Sequence, residues 1–157
     1  MQPIFLILFS AITVLIAYQD FTERSVMWIL FPALAIIGLV LNHTDTDHLQ
    51  WVHMTVNFLF IAIQLGLLWL ILLLFKNKPG FALSNKIGIG DILFFFASAC
   101  FFTVEQYFLY HILSLVCALV VFVLFNTVRK VRTIPLAGLQ SILLLIVKLV
   151  QYGRYSH

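Results

Sequence analysis

Two aspartates, Asp20 and Asp91, lie beside apolar segments in a chain that carries only six acidic residues. An ionisable side chain at the level of a membrane is costly, and it is by default a candidate for function. If the two carboxylates meet, their mutual repulsion favours a pair that holds one proton. The ionised member can then deprotonate water while the protonated member polarises a carbonyl group. The chemistry that these residue types predict is acid–base hydrolysis.

The elements that must position these acids are membrane helices. Of the 157 residues, 63% are hydrophobic and 10% are charged, and the mean hydropathy is +1.10, which excludes a water-soluble globule. Apolar segments that can each form a transmembrane helix lie at about residues 3–19, 26–41, 54–75, 87–104, 107–126 and 134–152. We therefore predict an all-α fold. It is a polytopic transmembrane bundle of about six helices, in which residues 1–157 form a single integral membrane domain.

The basic residues of the connections orient this bundle. They fall on one side of the predicted topology: Arg24, Lys76, Lys78, Lys86, Arg129, Lys130 and Arg132. The 42–53 connection and the turn at Glu105 carry no Lys or Arg, so both termini are predicted to lie outside. Asp20, Glu23 and Asp91 then share the cytoplasmic side. The basic residues form no stripe that could follow a phosphate backbone, so the expected partner is a lipid bilayer and not nucleic acid.

A cluster of possible metal ligands lies in the 42–53 connection. It contains His43, Asp45, Asp47, His48 and His53. The five-residue spacing of the histidines suits no single face of a helix, so we expect a solvated outer loop. No metal site and no other cofactor is predicted.

Polar residues inside the apolar segments have expected structural roles. Cys100 and Cys117 are predicted to be buried apolar side chains and not parts of a disulfide framework. Asn57 and Gln64 share one face of the third helix, where amides commonly hydrogen-bond a neighbouring helix. Lys148 is expected to extend its ammonium group to the membrane interface.

Three motifs occur in a fixed order along the chain. They are Asp20 with Arg24, then Gly88-Ile89-Gly90-Asp91, then Ile134-Pro135-Leu136-Ala137-Gly138. This combination resembles the type IV prepilin peptidases, which are intramembrane aspartyl proteases of the GxGD kind. The resemblance covers roughly residues 15 to 145 and lacks the N-methyltransferase segment of the larger members.

The resemblance implies a single peptidase domain with Asp20 and Asp91 as the catalytic pair, supported by Gly88, Gly90 and Arg24. It also implies a multi-pass location in the bacterial cytoplasmic membrane. The substrate would be a prepilin or pseudopilin-like membrane protein, whose basic leader is removed at the cytoplasmic boundary. Glu23 is a candidate to receive a leader lysine.

Two other functions remain open. The residues that follow each aspartate, Val26-Met27-Trp28 and Ile92-Leu93, depart from the family pattern. A catalytically inactive assembly subunit of the same fold would explain this departure. A small ion or proton translocator is the second alternative, but its path would need polar groups through the whole bilayer, whereas these acids cluster at one face.

Overall fold

The computed structural model describes residues 2–41, 47–75, 88–128 and 136–155. These residues form α1 (Gln2–Glu23), α2 (Leu30–Leu41), α3 (Asp47–Phe75), α4 (Ile89–Ala99), α5 (Val104–Val128) and α6 (Leu136–Tyr155). Within the described residues 91% are helical and there is no strand. The predicted all-α bundle of six helices is confirmed.

The six helices are of two lengths. Four contain apolar stretches long enough to cross a membrane: Ile4–Glu23, Leu49–Ile71, Val104–Leu124 and Leu136–Gly153. By contrast, α2 and α4 are apolar but contain only 12 and 11 residues. At 1.5 Å per residue each is roughly 17 Å long, about half of a hydrocarbon layer of ~30 Å. The chain is therefore a multi-pass membrane protein, and its described residues contain four full-length helices and two half-length ones.

The first helix ends later than the sequence predicts. It continues to Glu23, and Arg24 then adopts a φ of 52°, the left-handed conformation that commonly terminates a helix. Asp20 consequently lies inside the last turn of α1 and not at its end. A side chain in that turn points along a defined face of the helix, which here is the face packed against α6.

The third helix begins earlier than predicted, at Asp47. The expected loop through residue 53 is therefore wrong, because Trp51 and His53 are helical. Gln50 gives a physical reason: its Nε2 donates a hydrogen bond to the Leu39 carbonyl near the end of α2, at 3.1 Å. His43 and Asp45 lie outside the described residues.

The fourth helix is shorter at its end than the predicted 87–104 segment. It stops at Ala99, and a turn leads into α5 at Val104. Asn57 Nδ2 donates hydrogen bonds to the carbonyl oxygens of Ala99 and Phe102, each at 3.1 Å. The predicted role of Asn57 in binding a neighbouring helix is confirmed.

The sequence also predicts where the two cysteines and Lys148 lie. Cys100 is buried, as predicted, while Cys117 is only partly buried, and both thiols are free. Lys148 is expected at the membrane interface, and this stays a prediction. Its ammonium group donates a hydrogen bond to the Phe101 carbonyl in the turn that follows α4.

The packing order places α4 and α6 at the centre of the bundle. On one side α1 packs against α2 and α6, and α2 packs against α4. On the other side α5 packs against α3 and α6, and α3 packs against α4. Aromatic and aliphatic side chains fill the space between them, including Phe9, Ile16, Phe31, Leu34, Phe94, Phe101 and Leu144. The last turn of α1 and the first turns of α4 and α6 consequently meet on one side of the bundle.

Candidate active site

Asp20 reaches the start of α6 from the last turn of α1. Its Oδ2 atom accepts a hydrogen bond from the backbone N–H of Gly138 at 2.5 Å. The residue is buried, with 9% of its surface exposed. A buried carboxylate needs a partner, and here a main-chain donor of a neighbouring helix supplies it.

Asp91 reaches the same turn of α6 from the first turn of α4. Its Oδ1 atom accepts a hydrogen bond from the backbone N–H of Ala137 at 3.0 Å. Asp91 lies in the first turn of α4, whose N-cap residue is Gly88. Asp91 therefore links the beginnings of two helices.

The beginning of α6 is what brings the two acids together. Ala137 and Gly138 are consecutive residues in its first turn, where backbone N–H groups have no partner within the helix. These groups and the positive end of the helix dipole form a site for anions. With one carboxylate on each of these two consecutive N–H groups, Asp20 and Asp91 are neighbours in the fold. The structure thus brings together the two residues that the sequence predicts to meet.

Gly138 has room for its contacts only because it has no side chain. A Cβ atom built on it would lie 3.1 Å from Asp20 Oδ2 and 3.1 Å from the ring of Phe21. That separation is tighter than an ordinary van der Waals contact. The glycine therefore permits the close approach of α1 to α6.

The two glycines of the GxGD motif differ in how closely other atoms approach them. A Cβ atom on Gly88 would lie 3.1 Å from Asp91 Oδ2, so this position needs a glycine for the carboxylate to approach the backbone. A Cβ atom on Gly90 would lie 3.6 Å from the ring of Phe31, which is an ordinary contact. The structure therefore gives a reason for a glycine at 88, through its contact with Asp91, and none for a glycine at 90.

Glu23 and Arg24 lie beyond the buried pair at the same end of α1, and both are exposed. The backbone turn at Arg24 redirects the chain, and Gln19 Oε1 then accepts a hydrogen bond from the Met27 N–H at 3.0 Å. The segment after it exposes Met27, and also Trp28 with 70% of its surface accessible. The roles predicted for Glu23 and Arg24 stay predictions.

The sequence did not identify the backbone donors of Ala137 and Gly138 as parts of the site. It marked the 134–138 segment only through the resemblance. A signal was present, because Pro135 precedes the helix and proline favours helix starts, where free N–H groups attract carboxylates. Pairing that helix start with two acids on the same membrane side would have suggested the contact.

A metal centre is not apparent where the structure describes the chain, since no three His, Cys, Asp or Glu residues there could hold one ion. Comparisons with protein-family models, with curated proteins and with solved structures found no match. The geometry of the aspartate pair is therefore what points to a function.

Proposed function

We propose that this protein is an intramembrane aspartyl endopeptidase of the prepilin-peptidase type, acting in the bacterial cytoplasmic membrane. One observation carries the proposal. Asp20 and Asp91, on helices far apart in the sequence, accept hydrogen bonds from consecutive backbone N–H groups of α6. Two acids held side by side at a helix end are the arrangement that paired-carboxylate hydrolysis requires.

The proposed reaction uses one proton shared by the pair. One carboxylate accepts a proton from water as the oxygen attacks the carbonyl carbon of the scissile peptide bond. The protonated partner donates a hydrogen bond to the carbonyl oxygen, where negative charge develops. Collapse of the tetrahedral intermediate breaks the C–N bond as the amine takes up a proton from the pair. Either aspartate can begin as the base.

The proposed substrate is a membrane protein with a basic leader followed by an apolar helix. Its helix would lie in lipid beside the bundle, and its cleavage point would reach the aspartates from the end where α6 begins. Glu23 is exposed at this end, three residues after Asp20 on α1. Its carboxylate can pair with a leader lysine near the membrane surface.

The first prediction is that Asp20→Asn and Asp91→Asn each stop leader removal. Asparagine keeps the oxygen that accepts the α6 hydrogen bond but can neither take up nor release the catalytic proton. We expect a loss of at least about 1,000-fold, as for removal of one member of a catalytic unit. Co-expression with a candidate prepilin and a gel-shift assay measures the cleavage, and membrane fractionation checks the protein level.

Glu105→Gln is the matched control, because Glu105 is an exposed acid in the first turn of α5, far from the pair in the fold. It should process the prepilin like the wild type. Processing that survives both aspartate substitutions would reject the catalytic assignment. It would favour the inactive assembly subunit instead, in which the two acids serve only as caps of α6, a role that asparagine also performs.

A further inference from the structure

The end of α4 opposite Asp91 is held by polar side chains of two other helices. Asn57 of α3 donates to the Ala99 and Phe102 carbonyls, and Lys148 of α6 donates to the Phe101 carbonyl at 2.5 Å. The last carbonyls of a helix have no partner within it, and in an apolar interior each needs one. These two side chains therefore bind the last carbonyl of α4, at Ala99, and two carbonyls of the turn that follows it.

Lys148 makes this contact with more than one kind of interaction. Its ammonium nitrogen lies 4.6 Å from the centre of the Phe102 ring and 5.9 Å from that of Phe101. A cation is favoured both over an aromatic face and at the negative end of a helix dipole. Asn57 is itself buried, with 1% of its surface exposed, so its amide is also committed to these carbonyls.

The same helix, α6, consequently holds α4 at both ends. At one end Ala137 N–H binds Asp91, and at the other Lys148 binds the Phe101 carbonyl. In the sequence the two contacts are ten residues apart, from Asp91 in α4 to Phe101 in the turn after it, and along α6 they are eleven residues apart, roughly 16 Å. One contact at each end of α4 sets one register of α4 against α6.

The geometry points to Asn57 and Lys148 as positioning residues that set the depth of Asp91 against the first turn of α6. A half-length helix has little apolar surface with which to resist sliding along its axis. Its polar end contacts therefore decide where its first turn lies. The consequence for catalysis rests on the proposed function, but the register itself does not.

Amide exchange tests the register without any substrate. The N–H of Ala137 is protected by Asp91 of α4, whereas that of the next residue, Gly138, is protected by Asp20 of α1. The full ¹⁵N-labelled chain in lipid nanodiscs gives both exchange rates by NMR. In Lys148→Met we expect Ala137 exchange to rise at least about tenfold relative to Gly138, as when a hydrogen bond to a charged group is lost.

Asn57→Leu removes the hydrogen bonds to the Ala99 and Phe102 carbonyls. It should give the same selective rise in Ala137 exchange, so the test does not depend on one variant folding well. The matched control is Leu144→Ala, which removes a fully buried side chain from α6 one turn before Lys148 and leaves a cavity there. It should raise both rates together or leave both unchanged. A ratio of the Ala137 rate to the Gly138 rate that stays at its wild-type value in both Lys148→Met and Asn57→Leu would overturn the inference.

Cleavage kinetics then separate the inference from the proposed function. In Lys148→Met we expect kcat to fall about tenfold with KM unchanged, because a misplaced carboxylate slows the chemical step while leader contacts remain. Lys148→Arg keeps the charge and the donor and should restore kcat. A wild-type chain that cleaves no prepilin would reject the proposed function, while the exchange ratio would still decide the register.

Discussion

At the scale of single residues, the site depends on a carboxylate that approaches a backbone more closely than a side chain would allow. The second prediction is that Gly138→Ala weakens this contact. The new methyl group would lie 3.1 Å from Asp20 Oδ2 and from the Phe21 ring, so α1 must shift by a few tenths of an ångström. We expect unfolding free energy to fall by about 1–3 kcal/mol relative to a neutral alanine substitution, as for overpacked cores.

The neutral reference is Gly66→Ala, because no atom lies within 4 Å of a Cβ built on Gly66 of α3. Alanine there should be neutral or stabilising by up to about 1 kcal/mol through helix propensity. Heating in mild detergent exposes Cys100, which is buried, to a thiol-reactive dye and so reports unfolding in a Cys117→Ala background. If both glycine variants unfold at the same temperature, Gly138 is not needed for the approach of α1.

The convergence of Asp20 and Asp91 could be predicted from the sequence, whereas their hydrogen-bond partners could not. Both acids stand at ends of apolar segments, and counting basic residues in the connections puts those ends on one side. The partners are main-chain atoms of Ala137 and Gly138, which no side-chain pattern reports. Their availability follows from how closely α1 and α6 pack, and that is a tertiary property.

At the scale of helices, α2 makes a close contact with the turn that follows α4. A Cβ atom on Gly38 of α2 would lie 2.7 Å from the Phe101 ring, and Phe101 is fully buried, so the ring has no free space. The third prediction is that Gly38→Ala lowers the unfolding free energy by about 1–3 kcal/mol through overpacking. The same thermal assay measures it, again relative to Gly66→Ala.

Phe101→Leu should relieve part of this effect, because the smaller side chain leaves room for the methyl group. Alone, the leucine loses buried surface and destabilises the bundle. Combined with Gly38→Ala, the two losses should be less than additive by about 0.5–3 kcal/mol, the coupling typical of residues in contact. Strict additivity of the two losses would show that Gly38 and the Phe101 ring are not in contact.

The number of helices could be predicted from apolar runs, but the lengths of α2 and α4 could not. The sequence remains apolar from α4 through Cys100 to Phe102, so composition gives no reason to stop at Ala99. Asn57 binds the carbonyl of Ala99 and Lys148 binds that of Phe101 in the turn that follows, and both side chains come from other helices. Hydropathy measures tolerance of lipid and does not detect such contacts.

At the scale of the whole molecule, the orientation of the bundle decides which compartment reaches the aspartates. Alternate helices run in opposite directions, so the end of α1 and the start of α6 lie on one side, with Glu23 and Arg24 nearby. The start of α5, with Glu105 in its first turn, lies at the other end of the bundle. The excess of Lys and Arg in the connections predicts that the aspartate side is cytoplasmic.

The fourth prediction is that single cysteines at Glu23 and Glu105 react from opposite sides of the membrane. Both residues are exposed acids near helix ends, so the two variants are matched in chemistry and accessibility. In a background of Cys100→Ala and Cys117→Ala, a membrane-impermeant maleimide added to intact cells should label the cysteine at 105. It should label the cysteine at 23 only after the membrane is opened. Labelling of the cysteine at 23 but not of that at 105 in intact cells would place the aspartate pair at the outer face, where a leader synthesised in the cytoplasm could not reach it before export. Labelling of both would reject the opposite placement of the two helix ends.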